Sequence, residues 1–367
     1  MAKDIINSNQ FGILLLFLIL GSAFIFVPEG IAGRDCWAAS LIASLTGLYI
    51  ISLTVNLQNR FPGLSIIEIS TQVLGKPLGL ALSLIYSWVV FLVGTLYMYD
   101  MLVLMVIIFP GLAETLLVIL LIAASSYVLY RGINSLARLG EILLWIIIPL
   151  VLAAITVPFF TVANLQSLTP ILASFKPVLA GVVFGSNWPY GEISLMAMLL
   201  PFVADLSKNK KTIYIWFFIG VIILVIRSLL VVAALGQELM GIVRFPLYEV
   251  LLLIRFSTFQ RIELFFFIMW SITNFMAIIL SHQSFVLCLK SLFSLKDYKT
   301  VIIPAGLCIA IFTLVMFPSD IEFMSVESFA APFHNLPVHV LYPTLVWLAA
   351  RFKAQSLSPG LSPGKQA

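Results

Sequence analysis

An acidic residue, Glu192, lies within an apolar stretch that is long enough to cross a lipid bilayer. The stretch runs from Lys176 to Lys211, and its middle reads Gly-Ser-Asn-Trp-Pro-Tyr-Gly-Glu over residues 185–192. A carboxylate at membrane depth is costly and usually functional. Pro189 has no backbone N–H and crowds the preceding helical turn, so we expect the helix to break beside this carboxylate. The alternative is a proline kink with Glu192 reaching the membrane surface.

A helix break inside the membrane is tolerated only beside protein, water or a ligand, because unpaired backbone groups are costly in hydrocarbon. We therefore favour ligand binding at the break over a simple kink. Trp188 and Tyr190 lie in the break and are candidates for stacking on the ligand.

A second small-residue interruption follows the first apolar run. It consists of Gly21, Ser22 and Ala23, followed by Val-Pro-Glu-Gly over residues 27–30. Small residues also occur where membrane helices simply pack together. However, the two interrupted spans are each the first of five, and paired interruptions at matching positions are typical of a transporter site between inverted repeats. Half-helix N-termini at such a site would offer N–H groups to a carboxylate.

The composition indicates an all-α integral membrane protein. Of 367 residues, 62% are hydrophobic and only 10% are charged, and the mean hydropathy is +1.13. This excludes an ordinary soluble protein, and no basic face for nucleic acid is evident. Ten apolar spans are predicted, at about 10–32, 36–57, 77–108, 113–130, 134–158, 176–204, 211–235, 262–290, 300–317 and 333–352.

The spans predict one polytopic domain over residues 1–352, with repeats at about 10–158 and 176–352. Residues 353–367 should form a disordered tail. Leu64–Leu74 and Pro246–Ile254 are amphipathic and should lie at the membrane surface. Lysines and arginines are concentrated in the loops on the side of the termini, so both termini are predicted to be cytoplasmic.

Two further charged residues lie inside predicted spans. We expect Asp100 and Arg227 to pair with each other or with Glu192, because an isolated charge in the membrane is costly. A structural ion pair is the preferred interpretation, and a role in coupling or gating is the alternative. His282 is interpreted as a hydrogen-bonded histidine rather than a proton relay. Neither a metal site nor another cofactor is predicted.

The chain resembles the B subunits of spore germinant receptors, the endospore germination permease family of the amino acid–polyamine–organocation transporters. The similar segments are LGSAFIFVP, GKPLG, NWPYGE, LPFVADLSKNKK, RIELFFFIMW and FPSDIEFM. The resemblance implies the ten-helix, LeuT-like inverted-repeat fold of sodium-coupled amino acid transporters. It also implies residence in the inner membrane of the spore, a nutrient ligand that is usually an amino acid, and partner A and C subunits.

The resemblance also implies a set of ligand-binding residues. The chain departs from the family pattern at Ala23 and Glu29, which affects how a ligand carboxylate would be held. The matching positions are Gly21, Ser22, Ala23, Val89, Val93, Gly185, Ser186, Asn187, Tyr190, Glu192, Asn274, Ala277 and Ser281.

These observations favour a nutrient-sensing receptor subunit that signals through its partners. One alternative is a proton-coupled amino acid permease in which Glu192 titrates during transport. Another is a pore subunit that passes ions or small solutes. An enzyme is disfavoured, because no nucleophile–base or metal motif is evident.

Overall fold

The computed structural model describes residues 4–21, 23–172, 174–254, 263–317, 319, 322–323, 326 and 330–356, and the fold is helical throughout these ranges. Short 3₁₀ helices at Pro28–Asp35, Glu192–Met198, Leu200–Phe202 and Tyr298–Val301 interrupt or extend the α-helices. The α-helices are α1 Ser8–Leu20, α2 Cys36–Arg60, α3 Ile66–Leu74, α4 Lys76–Ile108, α5 Glu114–Tyr130, α6 Ile133–Thr161, α7 Phe175–Asn187, α8 Leu206–Met240, α9 Pro246–Leu252, α10 Glu263–Leu292, α11 Ile302–Val315 and α12 Ala331–Ser356.

Several helices are suited to crossing a membrane. Within the described residues, 6 helical stretches are long and apolar enough by length and composition. They include α4, α6, α8 and α10, whereas α1 and α5 are shorter apolar helices. The structure is therefore that of a multi-pass membrane protein, and the count of ten spans stays a prediction.

Helix α1 lies at the centre of the fold. Its sequence is apolar on every side, which is typical of a helix surrounded by protein. Almost every residue from Phe11 to Leu20 is buried, and the helix packs against α6, α8 and α10. At its start, the Asn7 side chain accepts from the backbone N–H of Gln10, and the Gln10 side chain accepts from that of Asn7. This capping box fixes where the helix begins.

Both predicted surface segments contain short helices. The first is α3, which begins with a capping box between Ser65 and Glu68, and the second is α9. The predicted tail is helical at its start, since α12 continues to Ser356, and residues 357–367 lie outside the described residues.

Candidate functional site

The first helix break lies where the sequence predicts it. Helix α1 ends at Leu20, and the Gly21 N–H still donates to the Phe17 carbonyl oxygen at 2.8 Å. The backbone then leaves the helix, with φ 19° and ψ −129° at Gly21, and resumes as the 3₁₀ helix Pro28–Asp35. Glycine tolerates these angles because it has no Cβ. Ser22, predicted to be a ligand contact, lies outside the described residues.

The second break is also present. Helix α7 ends at Asn187, and the cis Trp188–Pro189 peptide bond lies directly after it. The chain resumes as a 3₁₀ helix whose first residue is Glu192. The free half-helix N-termini that we predicted are therefore replaced by short 3₁₀ segments. One of these begins with Pro28, which has no N–H, and the other begins with an acidic residue.

Glu192 meets α4 at the break. Its carboxylate accepts a hydrogen bond from the Tyr97 hydroxyl group, and both side chains are buried. The Tyr97 backbone carbonyl accepts from the Asn274 amide at 3.1 Å, which ties α4 to α10 at this level. Asp100 follows Tyr97 by three residues, so the two side chains share one face of α4. The structure thus collects two carboxyl groups and a phenol around the break.

A cavity of about 350 Å³ adjoins this cluster, and Tyr97, Asp100 and Glu192 are part of its lining. Its apolar wall contains Phe26 from the first break and Trp188 from the second, with ring centroids 5.3 Å apart. Its polar lining contains Tyr97, Asp100, Asn187, Glu192 and Arg244. A cavity with apolar walls and a few polar groups is the usual form of a small-molecule site.

The cavity lies far from the N-terminal segment of the chain. Helix α8 starts beside the N-terminal segment, where the Ser8 backbone N–H and hydroxyl group donate to Asp205 at 2.6 and 2.8 Å. The same helix ends at Met240, which lines the cavity. On the N-terminal side, Ile6 pairs with Val203 in a short parallel bridge. The cavity and the N-terminal segment therefore lie at opposite ends of α8.

The predicted binding residues divide into three groups. Asn187 and Glu192 line the cavity, as does Trp188. Gly21 and Ala277 lie behind the Tyr97 ring, which lines the cavity, whereas they do not line it themselves. A Cβ added at Gly21 would be 3.1 Å from the Tyr97 ring and 3.3 Å from the Ala277 Cβ. The remaining residues are buried in helix packing and are absent from the cavity lining: Ala23, Val89, Val93, Gly185, Ser186, Tyr190, Asn274 and Ser281.

Tyr190 does not have the exposed ring that the stacking hypothesis needs. Its side chain is fully buried, and its hydroxyl group lies 3.4 Å from that of Ser40. Its ring packs edge-on against Phe217. Tyr190 therefore anchors the second break to its neighbours, and Trp188 is the stacking candidate that reaches the cavity.

The predicted ion pair of Arg227 has a different partner. Arg227 lies 3.2 Å from Glu29 and donates to the Phe26 carbonyl oxygen at 2.8 Å, so it pairs with neither Asp100 nor Glu192. The reason is geometric. Arg227 faces the 3₁₀ segment that follows the first break, whereas Asp100 faces the cavity.

His282 is hydrogen-bonded to Ser125 at 2.9 Å and to the Ile302 carbonyl oxygen at 3.0 Å, in agreement with its interpretation as a hydrogen-bonded histidine.

Sequence reasoning missed Tyr97, Arg244 and Phe26 as parts of the site. Tyr97 could have been found from its position three residues before Asp100, on the same helical face. Arg244 follows the end of α8 in an irregular segment, and Phe26 lies within the first break. No local pattern places either residue beside the second break.

Comparison with known proteins assigns the chain to a family. The sequence model of the spore permease family, described as spore germination protein, matches residues 5–323. The chain belongs to this family. It is 26% identical over 361 residues to spore germination protein KB of Bacillus subtilis (strain 168), covering 96% of each chain. It is 22% identical over 332 residues to spore germination protein YndE of the same organism, covering 86% of this chain and 88% of the relative.

A solved structure has a similar fold. It is the substrate-bound, outward-open state of a Na⁺-coupled sialic acid symporter, with a TM-score of 0.66 and 14% sequence identity. The match covers 100% of this chain and 92% of the symporter. The predicted family and the transporter-like fold are therefore confirmed, and the chain is a multi-pass membrane protein of the spore germination family.

Proposed function

We propose that this protein is the nutrient-sensing subunit of a spore germinant receptor and that an amino acid binds between its two helix breaks. The cavity between Phe26 and Trp188 is the observation that carries the proposal. Its volume of about 350 Å³ is within the usual range for small-ligand sites.

The charges around the cavity complement a zwitterion. Glu192 and Asp100 can accept from an ammonium group, and the Arg244 guanidinium can donate to a carboxylate. The aromatic rings of Phe26 and Trp188 provide an apolar surface for the ligand side chain. An amino acid carries all three features, whereas a neutral sugar carries neither charge and an acidic sugar such as sialic acid lacks the ammonium group.

Signalling would use the contact between Tyr97 and Glu192. A ligand ammonium group competes with the Tyr97 hydroxyl group for the carboxylate, so binding favours an arrangement in which the second break moves relative to α4. A ligand shifts such an equilibrium only by its differential affinity for the two states. Partner A and C subunits in the inner membrane of the spore would detect the new arrangement. The termini would face the cytoplasm, and the cavity would open outward.

The test begins with the purified full chain in detergent and a panel of amino acids. We expect at least one amino acid to raise the melting temperature and Glu192→Gln to weaken its binding about tenfold or more, because a charge-assisted hydrogen bond is lost. Glu114→Gln is the matched control, since Glu114 is exposed at the start of α5 and is not part of the cavity lining. Equal binding by both variants would reject the site.

A proton-coupled permease is the second candidate, and the buried carboxylate of Glu192 at the break favours it. In that case Glu192 would carry a proton across the membrane together with the amino acid. Uptake of a labelled amino acid into proteoliposomes, driven by a pH gradient, separates the two functions. A sensing subunit binds the amino acid without accumulating it.

A further inference from the structure

A second, larger cavity lies on the side of the N-terminal segment. Its volume is about 1060 Å³, and it is bounded by the start of the chain, the corner between α5 and α6, and the end of α10 with the loop that follows. Five basic residues line it: Arg131, Arg138, Lys290, Lys296 and Lys299. This cavity is separate from the proposed nutrient site, and the inference drawn from it goes beyond that function.

The acidic residues of this cavity already have hydrogen-bond partners. Asp4 accepts from the Tyr298 hydroxyl group at 2.9 Å. Glu68 accepts from the Ser65 backbone N–H at 2.7 Å, and Asp297 accepts from that of Lys299 at 3.0 Å. Each carboxylate therefore stabilises the local backbone or the N-terminal segment.

The basic side chains are in a different situation. Among the residues that the structure describes, none of the five basic residues forms an ion pair. The ion pair between Arg227 and Glu29 lies elsewhere in the fold. Lys290 and Lys299 are half-buried, so both residues are partly shielded from water. The cavity therefore has an excess of positive charge and side-chain donors directed at one volume.

From this arrangement we propose that the cavity binds the phosphate groups of a polyanion, either the head group of an anionic phospholipid or a free phosphorylated compound. Lysine and arginine are the usual donors to phosphate, and basic pockets between membrane helices are typical head-group sites. The cations come from three separate elements and surround one cavity, which fits a compact ligand with several negative charges better than an extended acidic chain.

Binding would also affect the N-terminal segment. Asp4 and Ile5 line the cavity, and the Ile5 backbone N–H donates to the Asn134 side chain at 2.9 Å. A polyanion held by α6, α10 and the following loop would therefore join the elements that hold the N-terminal segment. It should stabilise the packing of the N-terminal segment against these elements.

The test uses the full chain in a neutral detergent with two probes at constant ionic strength. Tripolyphosphate represents a free polyanion, and tetraoleoylcardiolipin, a lipid with two phosphates, in mixed micelles represents a polyanionic head group, with phosphatidylcholine as its neutral reference. We expect at least one probe to bind and to raise the melting temperature. Binding of tripolyphosphate alone assigns a free compound as the ligand, and binding of the anionic lipid alone assigns a head group.

The double variant Lys290→Gln/Lys299→Gln should weaken binding about tenfold or more, because two charges that face the ligand are removed. The matched control is Lys208→Gln/Lys210→Gln, at exposed positions at the start of α8 that are outside the cavity lining. The control should bind like the natural protein. The proposal is overturned if both double variants lose affinity equally, if neither probe binds, or if a glutamate decapeptide binds more tightly than both probes.

Discussion

The Arg227 guanidinium lies 3.2 Å from the Glu29 carboxylate, and both side chains are almost completely buried. Ser228 donates to the same carboxylate at 2.6 Å. These contacts attach the segment after the first break to α8. A buried ion pair of this kind costs most when one partner is removed, because the other charge is left uncompensated.

Arg227→Met alone should therefore lower the free energy of unfolding by about 3–5 kcal/mol. The double variant Glu29→Met/Arg227→Met should recover most of this loss, since it removes both charges and retains apolar packing. Thermal or denaturant unfolding of the purified chain measures the effect. If the two changes are simply additive, the pair does not hold the segment as described.

Tyr97→Phe should bind the nutrient more tightly, by about tenfold. The substitution removes the hydroxyl group that competes with the ligand for Glu192 and leaves the carboxylate without this partner in the unbound state. A ligand ammonium group would then relieve a larger desolvation cost. Isothermal titration with the stabilising amino acid measures the change, and weaker binding by the variant would argue against competition at this carboxylate.

Gly21→Ala should reduce the nutrient response about tenfold while the chain still folds. The added methyl group would be 3.0 Å from the Leu18 carbonyl oxygen and 3.1 Å from the Tyr97 ring, so the ring must move. Gly94→Ala in α4 is the control, because Gly94 is outside the cavity lining and its added methyl group would approach no atom closer than 3.3 Å, the terminal methyl group of Ile309. Release of dipicolinic acid from spores carrying each variant measures the response. If both variants respond normally, the position of the Tyr97 ring against Gly21 does not matter for the nutrient response.

The contact between Asp205 and Ser8 should depend on pH. Burial tends to raise the pKa of Asp205, but hydrogen bonds from Asn209 and Ser8 outweigh it, and the pKa lies below its ordinary value near 3.8. The contact therefore contributes stability above pH 3.8 and loses it as the pH falls through the lower, folded-state value. The contribution is at most about 1 kcal/mol because the carboxylate is only partly buried and is screened by solvent.

Melting temperatures of the natural chain and of Asp205→Asn, measured from about pH 3 to about pH 6, test this dependence. The two chains should differ at the upper end of the range, and the difference should shrink toward the lower end as Asp205 begins to take up a proton. A constant difference across the range would show that the charge of Asp205 is not what holds Ser8.

Local sequence was sufficient to predict the breaks, because Pro189, Gly21 and their neighbours cannot continue a helix without cost. Local sequence was also sufficient to identify Glu192, because a charged residue is unusual in an apolar stretch. The partner of Arg227 could not be predicted in this way. It depends on where residues 28–35 pack after the first break, and this is a property of the assembled fold.

The position of the proposed ligand-binding cavity could not be predicted from local sequence patterns either. Gly21 and Ala277 were predicted as ligand contacts, yet the ring of Tyr97 occupies the space beside them. Gly21 and Ala277 therefore make room for the Tyr97 ring, and the cavity lies on the other side of this ring. The helical face of α4 that carries Tyr97 and Asp100 is visible in the sequence, but its direction relative to the two breaks depends on the assembled fold.

A cryo-electron microscopy map of the full chain with a saturating, stabilising amino acid tests the central claim most directly. The account predicts density for the amino acid between Trp188 and Arg244, with its ammonium group at Glu192. An empty cavity at saturation, or the amino acid bound elsewhere in the protein, would contradict it.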